Sequence, residues 1–143
     1  MRTFNIGRTQ LILLLWGEKV LTFGAWAYDK PVYVASHSDL LIPLELDDKV
    51  FQTQGSPKLM LESLNDKGLR NLYVDGGSLI QSFLRDGLID DFIVTTVPVL
   101  IGEGISLFGY LPKKIELKFV SSEVILNQLV KTHYRLTSSK KLA

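Results

Sequence analysis

The 143-residue sequence has no cysteine, only two histidines and no excess of charge of either sign. Without cysteine the chain can form no disulfide, no thiolate metal site and no cysteine nucleophile. Its 16 basic residues are matched by 15 acidic residues, so no net field attracts a polyanion, and we expect no nucleic-acid partner. The histidines, His37 and His133, show no metal-ligand spacing, so we predict no metal site.

The sequence also lacks a long hydrophobic run. Its most apolar stretch covers only residues 11–16, whereas a helix needs about 20 apolar residues to cross a bilayer. A glycine and two charged residues at 17–19 interrupt the stretch before it reaches the length of a signal peptide. We therefore expect a cytoplasmic protein without a membrane partner, and we assign the stretch to a helix over residues 8–23.

No internal repeat or linker divides the sequence, so we expect a single domain over residues 1–143. Short apolar runs alternate with helical patterns, and the C-terminal third alternates apolar and polar residues as a half-buried antiparallel hairpin does. Strands are predicted at 32–35, 50–53, 72–74, 92–97, 115–119, 124–126 and 130–136. One helix is predicted between Ser56 and Gly68, and another between Gly77 and Gly87. These elements predict an α/β fold: a mixed sheet flanked by helices on both faces, with a C-terminal antiparallel hairpin.

A pair of glycines, Gly76 and Gly77, follows one predicted strand and opens the next helix. A helix N-terminus offers unpaired N–H groups and a partial positive charge, and glycine lets a phosphate approach the backbone. The same pair also suits a tight turn with positive φ and no ligand. The G-x-G-x-x-G spacing of a Rossmann dinucleotide site is absent. The residues alone leave both interpretations open.

A polar loop, Ser36 to Ser38, follows another predicted strand directly. Its hydroxyls and the His37 imidazole could hold a phosphate at the carboxyl end of that strand, or the loop could simply be solvated. The other histidine and the acidic pair are less typical of a functional site. We predict His133 on the outward face of an edge strand, and Asp90 and Asp91 in a solvated turn rather than a catalytic pair.

Residues 69–108 resemble the signature of the dihydrofolate reductase-like superfamily. The segment reads LRNLYVDGGSLIQSFLRDGLIDDFIVTTVPVLIGEGISLF, with a strand, a glycine pair, a helix, Gly-Leu-Ile-Asp, a strand and Pro-Val-Leu-x-Gly-x-Gly in that order. It is most similar to the branch that includes the reductase domain of bacterial riboflavin-biosynthesis deaminase-reductases. AWAYDKPVYVASHS, at residues 25–38, extends the similarity through the pattern W-x-Y…KPVYVxS.

This resemblance implies a reductase fold that binds NADPH and acts on a heterocyclic small molecule. The implied contacts of the cofactor pyrophosphate are Gly76, Gly77, Ser78 and Leu79. The implied contacts of the adenosine 2′-phosphate are Ser36, His37 and Ser38, where many relatives have an arginine at the position of His37. Thr95 and Gly102 would line the nicotinamide and substrate region.

The similarity ends at the N-terminus. The family begins with a strand that carries an S-x-D-G-like turn, and no such strand is found here, so we describe the domain as N-terminally shortened. Gly7, Arg8 and Thr9 resemble the family's G-R-x-T helix motif at an unusual spacing, which makes Arg8 and Thr9 weak cofactor contacts. The missing strand would lie within the sheet, so its loss would expose a strand edge and open the substrate pocket to water. No catalytic acid is assigned.

The resemblance favours an NADPH-dependent reductase of the dihydrofolate reductase or riboflavin-pathway pyrimidine reductase type. The second of these is 5-amino-6-(5-phosphoribosylamino)uracil reductase. The alternative is a truncated domain of the same fold that binds a nucleotide or a partner chain without turnover. Relatives often form homodimers, and an exposed edge strand or the C-terminal hairpin would suit that role here.

The histidine in place of arginine makes cofactor preference depend on pH. We expect any preference for NADPH over NADH to weaken between about pH 6 and 8, because a protonated imidazole attracts the 2′-phosphate and a neutral one does not. The measurement is the ratio of the two dissociation constants across that range. A ratio that changes neither with pH nor in the His37→Ala variant would contradict the assignment.

Overall fold

The computed structural model describes residue 28, residues 30–137 and the backbone of one strand before them. The strands are β1 (Leu11–Leu15), β2 (Val32–Ala35), β3 (Val50–Thr53), β4 (Leu72–Val74), β5 (Asp91–Thr96), β6 (Leu117–Ile125) and β7 (Leu129–Leu136). The helices are α1 (Pro57–Asp66) and α2 (Gly77–Arg85), with a 3₁₀ turn at Leu44–Leu46. Among the described residues, no helix has the length and apolar character needed to span a bilayer.

The first sheet is parallel, with strand order β3-β2-β1-β4. The helix predicted over residues 8–23 is therefore wrong, because Leu11–Leu15 forms β1 and pairs with both β2 and β4. A strand inside a parallel sheet is covered on both faces, so its sequence is continuously apolar and lacks the alternation of an exposed strand. A short run of that kind has no periodicity that separates strand from helix.

The second sheet is antiparallel, with strand order β5-β7-β6. It contains the predicted C-terminal hairpin, but the predicted strands at 115–119 and 124–126 form one continuous strand, β6. A β-bulge between Phe119 and Ser121 interrupts its register with β7. The prediction that the strand of His133 lies at an edge is wrong, because β7 pairs with β5 on one side and β6 on the other.

The fold is the expected mixture of α and β elements with parallel and antiparallel pairing, but the described strands form two sheets instead of one. No strand of the described residues is hydrogen-bonded between β4 and β5, the facing ends of the two strand orders. The sheets share a core instead. Leu79, Ile80, Phe83 and Leu84 of α2 lie in one buried cluster with Tyr33 of the first sheet and Phe92 of the second.

The alternation along β2 divides the core into two clusters. Tyr33 and Ala35 face α1 and α2, whereas Val32 and Val34 pack with Leu46 of the 3₁₀ turn and with Val50. The sequence predicts helices on both faces. In the described residues both helices pack in the first cluster, and the 3₁₀ turn and its flanking segment cover the second.

Both helices have the ends that the sequence predicts. The Ser56 hydroxyl accepts a hydrogen bond from the Leu59 N–H at the start of α1, and Pro57 occupies the first helical position. Gly68 and Gly87 follow the two helices with φ of +81° and +68°, a conformation that glycine adopts at low cost. The helices therefore stop where their apolar faces stop.

Replacing the most buried side chain of α2 with alanine tests whether this helix holds the two sheets together. Phe83 is fully buried, so we expect Phe83→Ala to lower the free energy of unfolding by about 3–5 kcal/mol through lost burial and a residual cavity. Tyr110→Ala is the matched control, because Tyr110 is 79% exposed, and we expect a change within about 0.5 kcal/mol. Urea denaturation measures both. Equal effects in the two variants would mean that α2 does not hold the sheets together.

Candidate functional site

The parallel sheet brings several loops to one edge. Because β2, β3 and β4 all run in the direction of β1, their carboxyl ends lie at the same edge of the sheet. Residues 36–38 and 75–77 leave that edge from β2 and β4, which flank β1. Two inter-strand spacings separate these strands, about 10 Å. Carboxyl ends of parallel strands are where open α/β sheets bind ligands.

The N-terminus of α2 presents free backbone donors at this edge. Gly76 has φ of 92° and ψ of 122°, which only glycine adopts easily, and it turns the chain from β4 into the helix. The first intrahelical bond runs from the Ile80 N–H to the Gly76 carbonyl, 2.9 Å away. The N–H groups of residues 77–79 precede it, and no described residue accepts a hydrogen bond from them. Such donors, together with the helix dipole, favour an anion.

A carboxylate lies beside these donors. Asp75 Oδ1 accepts a hydrogen bond of 2.7 Å from the Gly76 N–H, so this amide is already satisfied. Burial, and then the negative charge of Asp75, raise the pKa of Tyr28. Tyr28 therefore stays a neutral phenol near this edge. Neither residue is among the site residues predicted from the sequence, although the Asp-Gly-Gly succession was the available signal for Asp75.

Gln52 holds the loop that follows β2. Its Nε2 donates to the carbonyl oxygens of Ser38, at 2.7 Å, and Ser36, at 3.3 Å, while its Oε1 accepts from the Leu40 N–H at 3.1 Å. The Ser36 hydroxyl also donates to the Ser38 carbonyl at 2.8 Å. The loop is thus shaped by internal hydrogen bonds, and the His37 side chain lies exposed at its tip. No local pattern pointed to Gln52, because its partners are 12 to 16 positions away along the chain.

Thr95 and Gly102 differ in how the protein encloses them. The Thr95 hydroxyl oxygen is buried on β5 and has no hydrogen-bond partner among the described residues. A buried hydroxyl without a partner is costly, which marks this position as one where a ligand can supply the bond. Gly102 lies in the exposed loop after β5 with φ of +70°, and nothing lies within 4 Å of the Cβ it lacks. Arg8 and Thr9 lie outside the described residues.

The remaining charged cluster is part of the antiparallel sheet. The expected solvated turn is wrong for Asp91, which begins β5 and has its Oδ1 2.8 Å from His133 Nε2 and 3.1 Å from Arg135 Nε. Directly opposite residues of antiparallel strands share a face, so the cluster is a cross-strand network of polar side chains in which Arg135 and Asp91 form an ion pair. In the part of the chain that the structure describes, no group of three or more His, Cys, Asp or Glu side chains could hold a metal ion.

A small cavity lies at the other end of α2. Its volume is about 100 Å³, and Leu84, Ile89 and Leu136 are among the residues that line it. The carboxyl edge of the parallel sheet lies at the N-terminus of α2, and the cavity lies near its C-terminus, so the full nine-residue helix separates them. The cavity is too small for a dinucleotide and belongs to a different part of the surface.

Comparison with known proteins matches residues 29–131 to the RibD C-terminal domain family. The uncharacterized protein YwjB of Bacillus subtilis (strain 168) is 32% identical over 119 residues, which cover 81% of this chain and 65% of YwjB. This chain thus spans somewhat less than two thirds of that relative. A second Bacillus subtilis protein, YyaP, is 37% identical over 59 residues, 41% of this chain and 31% of its own length.

Two solved structures show the same architecture. A Shewanella sp. PV-4 protein assigned provisionally to riboflavin biosynthesis has a TM-score of 0.83 and 37% identity, over 91% of this chain and 75% of its own. A Thermotoga maritima diaminohydroxyphosphoribosylaminopyrimidine deaminase/5-amino-6-(5-phosphoribosylamino)uracil reductase has a TM-score of 0.64 and 16% identity, over 90% and 45%. At that identity the second likeness concerns the fold alone. The predicted dihydrofolate reductase-like fold is confirmed, and the chain belongs to the reductase-like RibD C-terminal domain family.

Proposed function

We propose that the chain is an NADPH-dependent reductase that transfers a hydride to a heterocyclic substrate, of the riboflavin-pathway pyrimidine reductase or dihydrofolate reductase type. One observation carries the proposal. The N–H groups at the start of α2 and the loop around His37 lie at the same edge of the parallel sheet, and they follow strands β4 and β2, which are about 10 Å apart. A dinucleotide with a pyrophosphate and a 2′-phosphate matches two anion-binding loops at that separation.

The residues present fit this cofactor. The N–H groups of Gly77, Ser78 and Leu79 would hold the pyrophosphate, because no described residue accepts a hydrogen bond from them and Gly76 has no side chain to block the approach of a phosphate. His37 would contact the 2′-phosphate from a loop that Gln52 has already ordered, so little entropy is lost on binding. The negative charge of Asp75 limits affinity at this edge, and the neutral Tyr28 phenol adds no second charge.

When bound, the nicotinamide supplies the hydride. The residues of this chain would orient the cofactor and the substrate. Thr95 is the candidate residue for contact with the substrate. Its enclosed hydroxyl would exchange a hydrogen bond with a heteroatom of the substrate ring and so fix the ring's orientation. A heterocycle with ring nitrogen and carbonyl oxygen atoms offers such a partner.

Nucleotide binding without turnover is the second candidate. The break between β4 and β5 favours it, because no strand of the described residues joins the two sheets beside the candidate site. A pocket between unjoined edges admits water, which weakens the contacts that orient a substrate. Hydride transfer from NADPH to a pyrimidinone or a dihydropterin would decide against this candidate.

Calorimetric titration with NADPH and with NADH tests cofactor binding in the parent protein and in Gly76→Ala. The parent should bind both and prefer NADPH, whereas Gly76→Ala should lose at least about tenfold in affinity. A Cβ at φ of 92° forces the helix start to shift, and strain of this kind costs about 1–3 kcal/mol.

Gly87→Ala is the matched control for this variant. Gly87 also has positive φ, but it lies at the other end of α2, where nothing is within 4 Å of an added Cβ. It should lose stability without losing affinity for NADPH. Failure of the parent to bind either nucleotide would contradict the proposal. Equal losses of affinity in both variants would show that the N-terminus of α2 does not bind the cofactor.

Thr95→Val tests the enclosed hydroxyl. Removing a buried group without a partner should raise the free energy of unfolding by about 1 kcal/mol, while kcat/KM for hydride transfer should fall. Thermal denaturation and NADPH oxidation with a pyrimidinone substrate measure the two quantities. Thr96→Val, at the next and exposed position, should change neither. A less stable Thr95→Val protein would show that the hydroxyl stabilises the fold, and it would contradict the assignment of Thr95 as a substrate contact.

A further inference from the structure

Residues 97–105, called the apolar loop below, follow β5 and expose most of their apolar side chains. Glu103 is the one charged residue of this segment. The exposed fractions are 63%, 102%, 76% and 90% for Val99, Leu100, Ile101 and Ile105. A cluster of exposed apolar side chains in a short segment marks a surface where another group binds.

The hydrogen bonds of the apolar loop are local. Two tight turns, at Val97–Val99 and at Ile101–Glu103, are each closed by a backbone hydrogen bond of 2.8 Å. No hydrogen bond joins the apolar loop to another segment of the described chain. Gly102 lies between the turns with φ of +70°, where glycine allows the backbone to change direction at low cost. The loop can therefore move without breaking hydrogen bonds to the rest of the described fold.

The segment that follows the apolar loop is attached to α2 through Gln81. Gln81 Nε2 donates a hydrogen bond of 3.1 Å to the Ser106 carbonyl oxygen. The Ser106 hydroxyl accepts a hydrogen bond of 3.2 Å from the Gly109 N–H, which folds this segment into a turn. A Cβ at Gly109 would lie 2.5 Å from Gln81 Oε1, so the turn packs closely on the Gln81 amide. Phe108 of the turn also packs on Phe92, with ring centroids 5.1 Å apart.

Both ends of the apolar loop lie beside the candidate site. Only residues 86–90 separate α2 from β5, and both elements pack in the same core cluster, so β5 runs back toward the N-terminus of the helix. Thr95, with its buried hydroxyl, is two positions before the loop. Gln81, at the other end, is one helical turn after Gly77, about 6 Å along the helix axis. The loop thus connects the enclosed hydroxyl of Thr95 to the helix end that presents the free N–H groups.

We propose that the apolar loop closes over the nicotinamide of bound NADPH, and that Gln81 is the positioning residue that fixes one end of the loop during closure. This inference rests on the cofactor of the proposed function. The reduced nicotinamide ring is uncharged, whereas the rest of the cofactor carries the phosphates, so apolar side chains gain most by covering the ring. Closure would also exclude water from the surroundings of Thr95. A loop fixed at both ends has fewer conformations and loses less entropy when it closes.

A single thiol on the loop tests closure without turnover, because the chain has no cysteine of its own. The Leu100→Cys thiol should react with dithiobis(nitrobenzoate) at least about tenfold more slowly when NADPH saturates the protein, since the reagent cannot reach a covered thiol. Lys49→Cys is the matched control. Lys49 is exposed and directly precedes β3, at the opposite edge of the parallel sheet, so NADPH should leave its rate unchanged.

A cofactor fragment identifies the part that the loop covers. 2′-Phospho-ADP-ribose has the pyrophosphate and the 2′-phosphate of NADPH but no nicotinamide. It should bind to the protein and leave the Leu100→Cys thiol as reactive as in the free protein.

Gln81→Met tests the anchor, because methionine is similar in size to glutamine, is uncharged and cannot donate to the Ser106 carbonyl oxygen. In this variant NADPH should protect the Leu100→Cys thiol by less than about twofold, and the Kd for NADPH should rise about tenfold. The two changes correspond because a ligand shifts a conformational equilibrium only by its difference in affinity for the two states. The Kd for 2′-phospho-ADP-ribose should stay within about twofold, whereas a role of Gln81 in stability alone would affect both ligands alike. Gln128→Met makes the same change on the exposed turn between β6 and β7 and should alter neither Kd. Circular dichroism verifies that each variant is folded.

The outcomes distinguish failure of this proposal from failure of the proposed function. Binding of neither nucleotide would contradict both. Binding of both nucleotides without protection of the Leu100→Cys thiol by NADPH would contradict loop closure and leave the cofactor assignment in place. Equal protection by 2′-phospho-ADP-ribose and NADPH would show that the loop does not cover the nicotinamide. Protection that persists in Gln81→Met would show that the loop closes without this anchor.

Discussion

Burial of one face of α2 holds the two sheets of this domain together. No backbone hydrogen bond among the described residues joins β4 to β5, so within this part of the chain the parallel and antiparallel sheets are held together by the packing of side chains. Phe83 and its neighbours on α2 fill the space between Tyr33 of one sheet and Phe92 of the other. The helix that closes this core also begins at the candidate site, which couples the stability of the domain to the position of the free N–H groups. A shift of α2 on its core would move the donors at residues 77–79 relative to the loop around His37.

The chemistry of the carboxyl edge follows from the direction of the strands. Parallel pairing through β1 places the ends of β2 and β4 side by side, although their loops are nearly 40 positions apart in the sequence. The edge does not favour anions everywhere, because Asp75 lies between β4 and α2 and occupies the Gly76 amide. In the proposed function, the balance between this carboxylate and the N–H groups of residues 77–79 would determine how strongly a phosphate binds. Gln52 contributes by holding the second loop in one shape before any ligand arrives.

The antiparallel sheet has a different role. His133 and Arg135 of its central strand contact the Asp91 carboxylate of β5, which ties β5 to β7. Its outer strand is exposed along almost its whole length and carries apolar side chains where a monomer would be expected to carry charge. One sheet therefore positions the candidate site, while the other has an exposed, partly apolar outer strand.

The sequence by itself determined the elements that have local signals. The Ser56 cap, the glycines that end both helices and the apolar alternation of the last strand each act within a few residues, and the structure has these elements where they were expected. The glycine junction and the family signature likewise depend on consecutive residues. Only the tertiary structure decided that Leu11–Leu15 is a strand, because a short, continuously apolar run has no periodicity that separates strand from helix. It also decided that β7 is central, that Asp91 pairs with His133, and that Gln52 shapes the loop after β2. Each of these depends on strands that are distant in the sequence and meet only in the folded sheet, where register brings together partners that no local pattern can identify.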